Sequence, residues 1–195
     1  MLSREERRVR ILEAAGGQFL VYGFAGTSMQ GIAKVAGISR ASLYTYFSNK
    51  ESVFHAVIKL LERFICREAR RSVEELEPRA SLAARLIAAF DSRQTTWLAA
   101  TNTKSPYTYE LLQLRAENAA RFEKTPFEEF IVTIIQDALA SGEFKPKAGS
   151  PPAGVIATIL VQSTSGIALF EGDVLGDKKR HVRLLIQSFL DGLMR

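Results

Sequence analysis

Few side chains in this 195-residue chain are spaced for covalent chemistry. His55 and His181 are far apart, Cys66 is the single cysteine, and no His-x-x-x-His or Cys-x-x-Cys spacing offers a metal its ligands. There is no phosphate-cradling glycine loop and no nucleophile elbow. Glu128 and Glu129 follow Thr125-Pro126, which reads as a helix start rather than as a pair of catalytic acids. No catalytic residue, metal ligand or cofactor is therefore assigned. The chemistry that remains is non-covalent recognition. Ser39, Arg40, Ser42, Tyr44, Thr45 and Tyr46 bring a guanidinium, hydroxyls and phenols together within eight positions. Such groups recognise anions and the polar edges of bases.

Those side chains need a scaffold, and the stretch from Thr27 to Phe47 supplies one. Thr27 is a candidate N-cap with Gln30 as its capping-box partner, opening a short helix whose apolar side is Ile32, Ala33 and Ala36. Gly37 offers the left-handed position that ends it. Ser39 then caps a second short helix anchored by Leu43 and, one turn on, Phe47. Its other side carries Arg40, Ser42, Tyr44, Thr45 and Tyr46. A short helix with one buried edge and a hydrogen-bonding face suits a major groove. The flanks agree. A helical pattern of Ile11, Ala15, Phe19 and Tyr22 ends at Gly23-Phe24, and Ser48 with Glu51 reads as the cap of a long apolar helix.

From Ile11 to Val57 the chain resembles the DNA-binding domain of the tetracycline-repressor (TetR) family. The matching residues are Ile11-Leu12-Glu13-Ala14-Ala15, Phe19, Gly23-Phe24, Thr27, Ile32-Ala33, Ala36-Gly37-Ile38-Ser39, Leu43-Tyr44, Tyr46-Phe47 and Lys50-Glu51. The resemblance implies an all-α fold of about nine helices. Residues 1–48 would be a three-helix helix-turn-helix DNA-binding domain, and residues 49–195 a ligand-binding and dimerisation domain. It implies a homodimeric repressor released from an inverted-repeat operator by a small-molecule effector, and the aromatic side chains of the body point to an apolar or aromatic one. Arg40 would read a base edge, with guanine the best match, and Ala41 and Tyr44 would touch bases or thymine methyls. Thr27, Ser42, Thr45, Tyr46 and Lys50 would hold phosphates, Ser28 either, and Ser39 would sit on the same DNA-facing surface. Gly16-Gly17 and Gly31 depart from the family pattern, the first pair softening the first helix.

Charge follows the motif. The chain carries a net +5, and residues 1–50 hold seven basic against three acidic residues, or +4 of it. One cysteine excludes an internal disulfide framework and fits a reducing cytoplasm. Glu13 and Gln18 interrupt the apolar run near the start, and no cleavage site follows, so the N-terminus does not read as a signal peptide.

The remaining chain reads as helices. From Lys50 to Leu76 no Pro or Gly breaks the pattern, and Val53, Val57, Leu60, Leu61 and Phe64 form a broad stripe. Such a helix would link the DNA-binding end to the body. Further patterns cover 81–100, Tyr107 to about Glu117, and 126–139. Residues 119–124 offer an alternative helical reading with a kink at Pro126. Phe64, Phe90, Trp97, Tyr107, Tyr109 and Phe130 are candidate effector contacts, with core packing the competing account of each. Residues 148–170 carry no charge, yet Pro151-Pro152 and Gln162 to Gly166 make them a poor membrane span and a good helix buried on all sides. With the last helix, this segment is expected to form a four-helix dimer seam through Ser163, Gly166, Ile186, Phe189 and Leu193, with core burial within one subunit the competing account of Phe189 and Leu193. Two alternatives stay open: a DNA-binding dimer without effector control, and an all-α enzyme.

Overall fold

The computed structural model describes residues 3–101, 105–107, 110–111, 113–114, 124–169 and 175–194. The fold is all-α, with eight helices and no strand among the described residues. They are α1 (Arg4–Gly26), α2 (Met29–Ala36), α3 (Arg40–Tyr44), α4 (Lys50–Glu74), α5 (Leu82–Thr101), α6 (Pro126–Ala140), α7 (Ala153–Leu169) and α8 (Leu175–Met194). Of the helix expected at 107–117, Glu110, Leu111, Gln113 and Leu114 are helical and the rest lies largely outside the described residues. Lys124 and Thr125 are not helical, while 119–123 lie outside the described residues. Thr125 caps α6 by accepting the Glu128 N–H at 3.2 Å, with Pro126 at the first position as its sequence required.

The chain divides into two compact units, one of Met1–Glu62 with Leu98–Phe122 and one of Arg63–Trp97 with Glu123–Arg195. In the first, α1 buries Ile11, Leu12, Ala15 and Phe19, a helical stripe that meets Ile32 and Ala33 of α2, Leu43 of α3, and Val53 and Phe54 of α4. Each of the larger side chains contributes roughly 1.5–3 kcal/mol by leaving water. Phe19, Phe24 and Phe54 close on one another with ring centres 5.3–5.7 Å apart. The regular part of α1 stops at Gly23, whose φ of 70° no ordinary residue adopts cheaply. Space demands glycine there too, because a Cβ would come within 2.7 Å of both the Tyr107 ring and the Glu110 carboxylate. Gly16 and Gly17 have no such reason. A Cβ at Gly17 would meet nothing within 4 Å, and one at Gly16 would touch Val57 at an ordinary 3.6 Å.

The second unit is built on the later turns of α4 with α5 to α8. Ile65 and Ala69 of α4, Leu86 and Phe90 of α5, Phe127, Ile131 and Ile135 of α6, Ile156 and Leu160 of α7, and Ile186 of α8 are all buried. Glu143 ties the start of α5 to the turn after α6, accepting from the Leu82 N–H and pairing with Arg85. The uncharged helix α7 is not buried on all sides, contrary to its composition. Val155, Ile159, Gln162, Ser163 and Gly166 form an exposed stripe at helical spacing. Among the described residues no helix is long and apolar enough to cross a membrane.

Candidate nucleic-acid interface

Two short helices and a left-handed turn position the candidate residues. Ser28, not Thr27, caps α2: its Oγ accepts the Gly31 N–H at 3.0 Å. Thr27 is drawn inward by the Gly23 corner, is 3% exposed, and donates its hydroxyl to the Gly23 carbonyl at 2.7 Å. A phosphate contact from the Thr27 side chain is therefore corrected to a structural role. Met29, Ile32, Ala33 and Ala36 give α2 its buried side. Gly37, at φ 68° and ψ 34°, ends it, and the Ile38 N–H returns to the Ala33 carbonyl at 3.0 Å.

Ser39 caps α3 as its sequence indicated, accepting the Ser42 N–H at 3.0 Å. Leu43 is the one buried residue of α3. Arg40, Ala41, Tyr44 and Thr45 are exposed, and Ser42 and Tyr46 are half-buried. The Arg40 guanidinium lies over the Tyr44 ring at 5.6 Å. A stacked guanidinium keeps its in-plane donors available for a bidentate contact. Ser28 and Ser39 are exposed and use their oxygens as acceptors in the caps, so each hydroxyl retains a proton to donate. Thr45 donates to the Ser42 carbonyl at 2.7 Å. One small surface thus gathers Ser39, Arg40, Ala41, Ser42, Tyr44 and Thr45 with no carboxylate on α2 or α3.

Lys50 requires a second correction. Its ammonium donates to the carbonyls of Phe24 at 2.7 Å, Thr27 at 2.9 Å and Ala25 at 3.4 Å, and lies 4.5 Å above the Phe24 ring. An ammonium has three donors, so none is left over for a phosphate. The α4 cap is shifted as well. Asn49 and Ser52, rather than Ser48 and Glu51, form the reciprocal box, at 2.8 Å and 3.3 Å. At the other end of the unit, Ser3 and Glu6 form a true capping box on α1. The Glu6 carboxyl is held below the usual carboxylate range by the Ser3 N–H and then the Ser3 hydroxyl. That cap is in place above the ordinary glutamate pKa and lost as pH falls through the lowered one.

The described candidate effector residues differ in burial. Phe90 is 2% exposed and packs edge-on against Phe127 at 5.2 Å, and Phe130 is 7% exposed with Arg70 above its ring. Both are buried. Phe64 is 42% exposed under the Arg67 guanidinium, and Trp97 is half-buried. Tyr107 belongs to the first unit, against the Gly23 corner, and Tyr109 lies outside the described residues. A cleft of about 370 Å³ in the second unit is lined by charged and hydroxyl side chains, including Arg71, Asp91 and Lys179, and by none of these rings. Among the described residues no group of His, Cys, Asp or Glu could hold a metal ion.

The seam residues divide. Ser163 and Gly166 are exposed, whereas Ile186 at 0% and Leu193 at 9% are buried in this subunit's own core and Phe189 is half-buried. Among the described residues, the open apolar positions are Val155 and Ile159 on α7 and Leu184 and Met194 on α8, with Leu184 50% exposed. Leu184 was legible as an apolar residue standing off the main stripe of its helix.

The comparisons with known proteins agree with this geometry. The family model "Bacterial regulatory proteins, tetR family" matches residues 11–57, which include α2, α3 and the start of α4. The chain is 28% identical over 169 residues to the uncharacterized HTH-type transcriptional regulator YfiR of Bacillus subtilis, covering 84% of this chain and 79% of that one. It is 27% identical over 149 residues to YhgD of the same organism, covering 72% and 73%. The fold matches the fatty acid degradation regulator FadR from Bacillus halodurans with a TM-score of 0.68 at 16% identity, over 95% of this chain and 96% of that one. A short capped helix with a polar exposed face and regulator relatives along most of the chain lead to one conclusion: residues 11–57 carry a DNA-binding domain of the tetR-family type, and the chain is a DNA-binding transcriptional regulator, not an enzyme.

Proposed function

We propose that this regulator is a homodimeric repressor that reads an inverted-repeat operator through α3 and is released by a small-molecule effector. The observation that carries the DNA reading is the division of α3: Leu43 is inside, and Arg40, Ala41, Tyr44 and Thr45 face solvent. Arg40 reads a base edge, and Ser28, Ser39, Ser42 and Tyr46 set register on phosphates. The functional division places DNA binding in residues 1–48 and effector binding and dimerisation in residues 49–195. It acts in the cytoplasm. A second copy of the chain covers the open strips of α7 and α8, with Ser163 and Gly166 allowing close approach. Two copies of α3 then enter successive major grooves about 34 Å apart.

Release would run through α4, which contributes residues to both units. At 1.5 Å per residue it spans roughly 40 Å, with no Pro or Gly to absorb motion. A 100-fold release requires the effector to favour the non-binding state by about 2.7 kcal/mol, and operator must weaken effector binding equally. Because Phe90 and Phe130 are packing residues, the effector is to be found by screening rather than read from those rings. The test is a metabolite screen for loss of binding to the promoter duplex beside the protein's own gene, then calorimetry on each hit with and without that duplex. A hit bound equally in both states would favour a DNA-binding dimer without effector control.

A further inference from the structure

Arg4 and Arg8 are four residues apart on α1 and so share a face of that helix. Their guanidinium carbons lie 5.9 Å from the Tyr46 ring centre and 5.3 Å from the Phe47 ring centre. Tyr46 and Phe47 follow Thr45, the C-cap of α3. The first turns of α1 are therefore seated beside the exit of the recognition helix, although some forty residues separate them in sequence. Stacking engages the flat face of a guanidinium and leaves the N–H donors in its plane free to reach outward. Those donors match phosphate oxygens two at a time.

We propose that Arg4 and Arg8 form a phosphate clamp that holds the duplex backbone beside the end of α3. The proposal rests on α3 being the recognition helix. Arg4 is exposed, and Arg8 has 38% of its side chain exposed. The nearby acids do not cancel the pair. Glu6 is committed to the Ser3 cap, with its carboxylate 2.7 Å from the Ser3 N–H. Glu5 stands 4.0 Å from Arg8 with 74% of its side chain in solvent, a surface pair of the kind that contributes little. The donors here are side chains, and the free N–H groups of the helix start play no part. The occupant is double-stranded DNA, because the two arginines border the helix that faces it and belong to the segment holding +4 of the chain's +5 charge.

The experiment measures affinity for a cognate and a scrambled duplex across a salt series, using the full-length protein and its Arg4→Ala, Arg8→Ala, Arg10→Ala and Arg40→Ala variants. The slope of log affinity against log salt should fall by about 0.9 for each phosphate contact removed, so by about 1.8 for a bound dimer. Arg4→Ala and Arg8→Ala should each show that fall, equally on both duplexes. Arg10 is two residues from Arg8 and so faces away from it. Arg10→Ala removes the same charge and should leave the slope unchanged. Arg4 is exposed, so its substitution leaves the fold intact and keeps the test valid if Arg8→Ala lowers stability. An unchanged slope for Arg4→Ala would overturn the clamp, and so would an equal fall for Arg10→Ala, which would mean diffuse charge. Arg40→Ala separates the two readings. If it loses discrimination between duplexes while Arg4→Ala keeps its slope, the clamp fails and the recognition helix stands.

Discussion

The ammonium of Lys50, the first residue of α4, lies 2.7 Å from the carbonyl oxygen of Phe24, where α1 turns toward α2. It reaches the Thr27 carbonyl as well, one residue before the Ser28 cap. Lys50 thus ties the start of α4 to the corner from which the helix-turn-helix begins. The same corner is held from the other side. Glu110 accepts the Phe24 N–H at 3.3 Å, and Ser105 donates its hydroxyl to the Leu20 carbonyl. Any displacement of the first turn of α4 acts directly on the base of α2.

The expected result for Lys50→Ala follows. Charged hydrogen bonds contribute about 1.5–3 kcal/mol each, and part of that is recovered by water at this half-buried site. The variant should unfold with roughly 1–3 kcal/mol less stability while the salt slope of DNA binding is unchanged at temperatures where it is folded. Denaturant melts and a salt titration decide it. A lower slope at wild-type stability would return Lys50 to the phosphates.

The glycines of α1 should respond oppositely to alanine. Gly17→Ala adds a methyl to open space and removes backbone entropy from the unfolded chain, which should stabilise by roughly 0.5–1 kcal/mol. Gly23→Ala forces a Cβ into a positive-φ position and against Tyr107, and should destabilise by more than that. Thermal melts of the two variants give the signs. Stabilisation by Gly23→Ala would mean that the corner is not built as described.

The proposed seam gives a paired test. Leu184 is 50% exposed in one subunit, so Leu184→Glu should fold normally and run as a monomer by light scattering. Leu193 is 9% exposed, so Leu193→Glu buries an unpaired carboxylate and should lower stability by several kcal/mol. A dimeric Leu184→Glu protein would move the seam elsewhere.

Much of the architecture was legible because its signals are local. Gly37, the Ser39 cap, the single anchor Leu43 and the Thr125-Pro126 start all act within a few residues of themselves, and each falls where the sequence placed it. The misreadings lie where neighbours compete or partners are distant. Thr27 and Ser28 both suit an N-cap, and Ser48 and Asn49 likewise. The tertiary pull of the Gly23 corner takes Thr27 inside and leaves Ser28 the cap. Lys50 looked like a surface cation because its carbonyl partners lie 23–26 residues away. Phe64 fitted the α4 stripe by type but faces water under Arg67. The seam residues divide for the same reason: Ile186 and Leu193 share a stripe with the subunit's own core, whereas Leu184, off that stripe, is exposed.

Arg40→Ala tests the central claim most directly. Affinity is measured for a cognate and a scrambled duplex at one salt concentration, with circular dichroism confirming that the exposed substitution leaves the fold intact. The account predicts a loss of roughly 1–3 kcal/mol on the cognate duplex, with preference relaxed at one base pair per half-site and little change on the scrambled one. Equal losses on both duplexes would contradict it, because Arg40 would then be a phosphate contact and α3 would not be reading sequence through it.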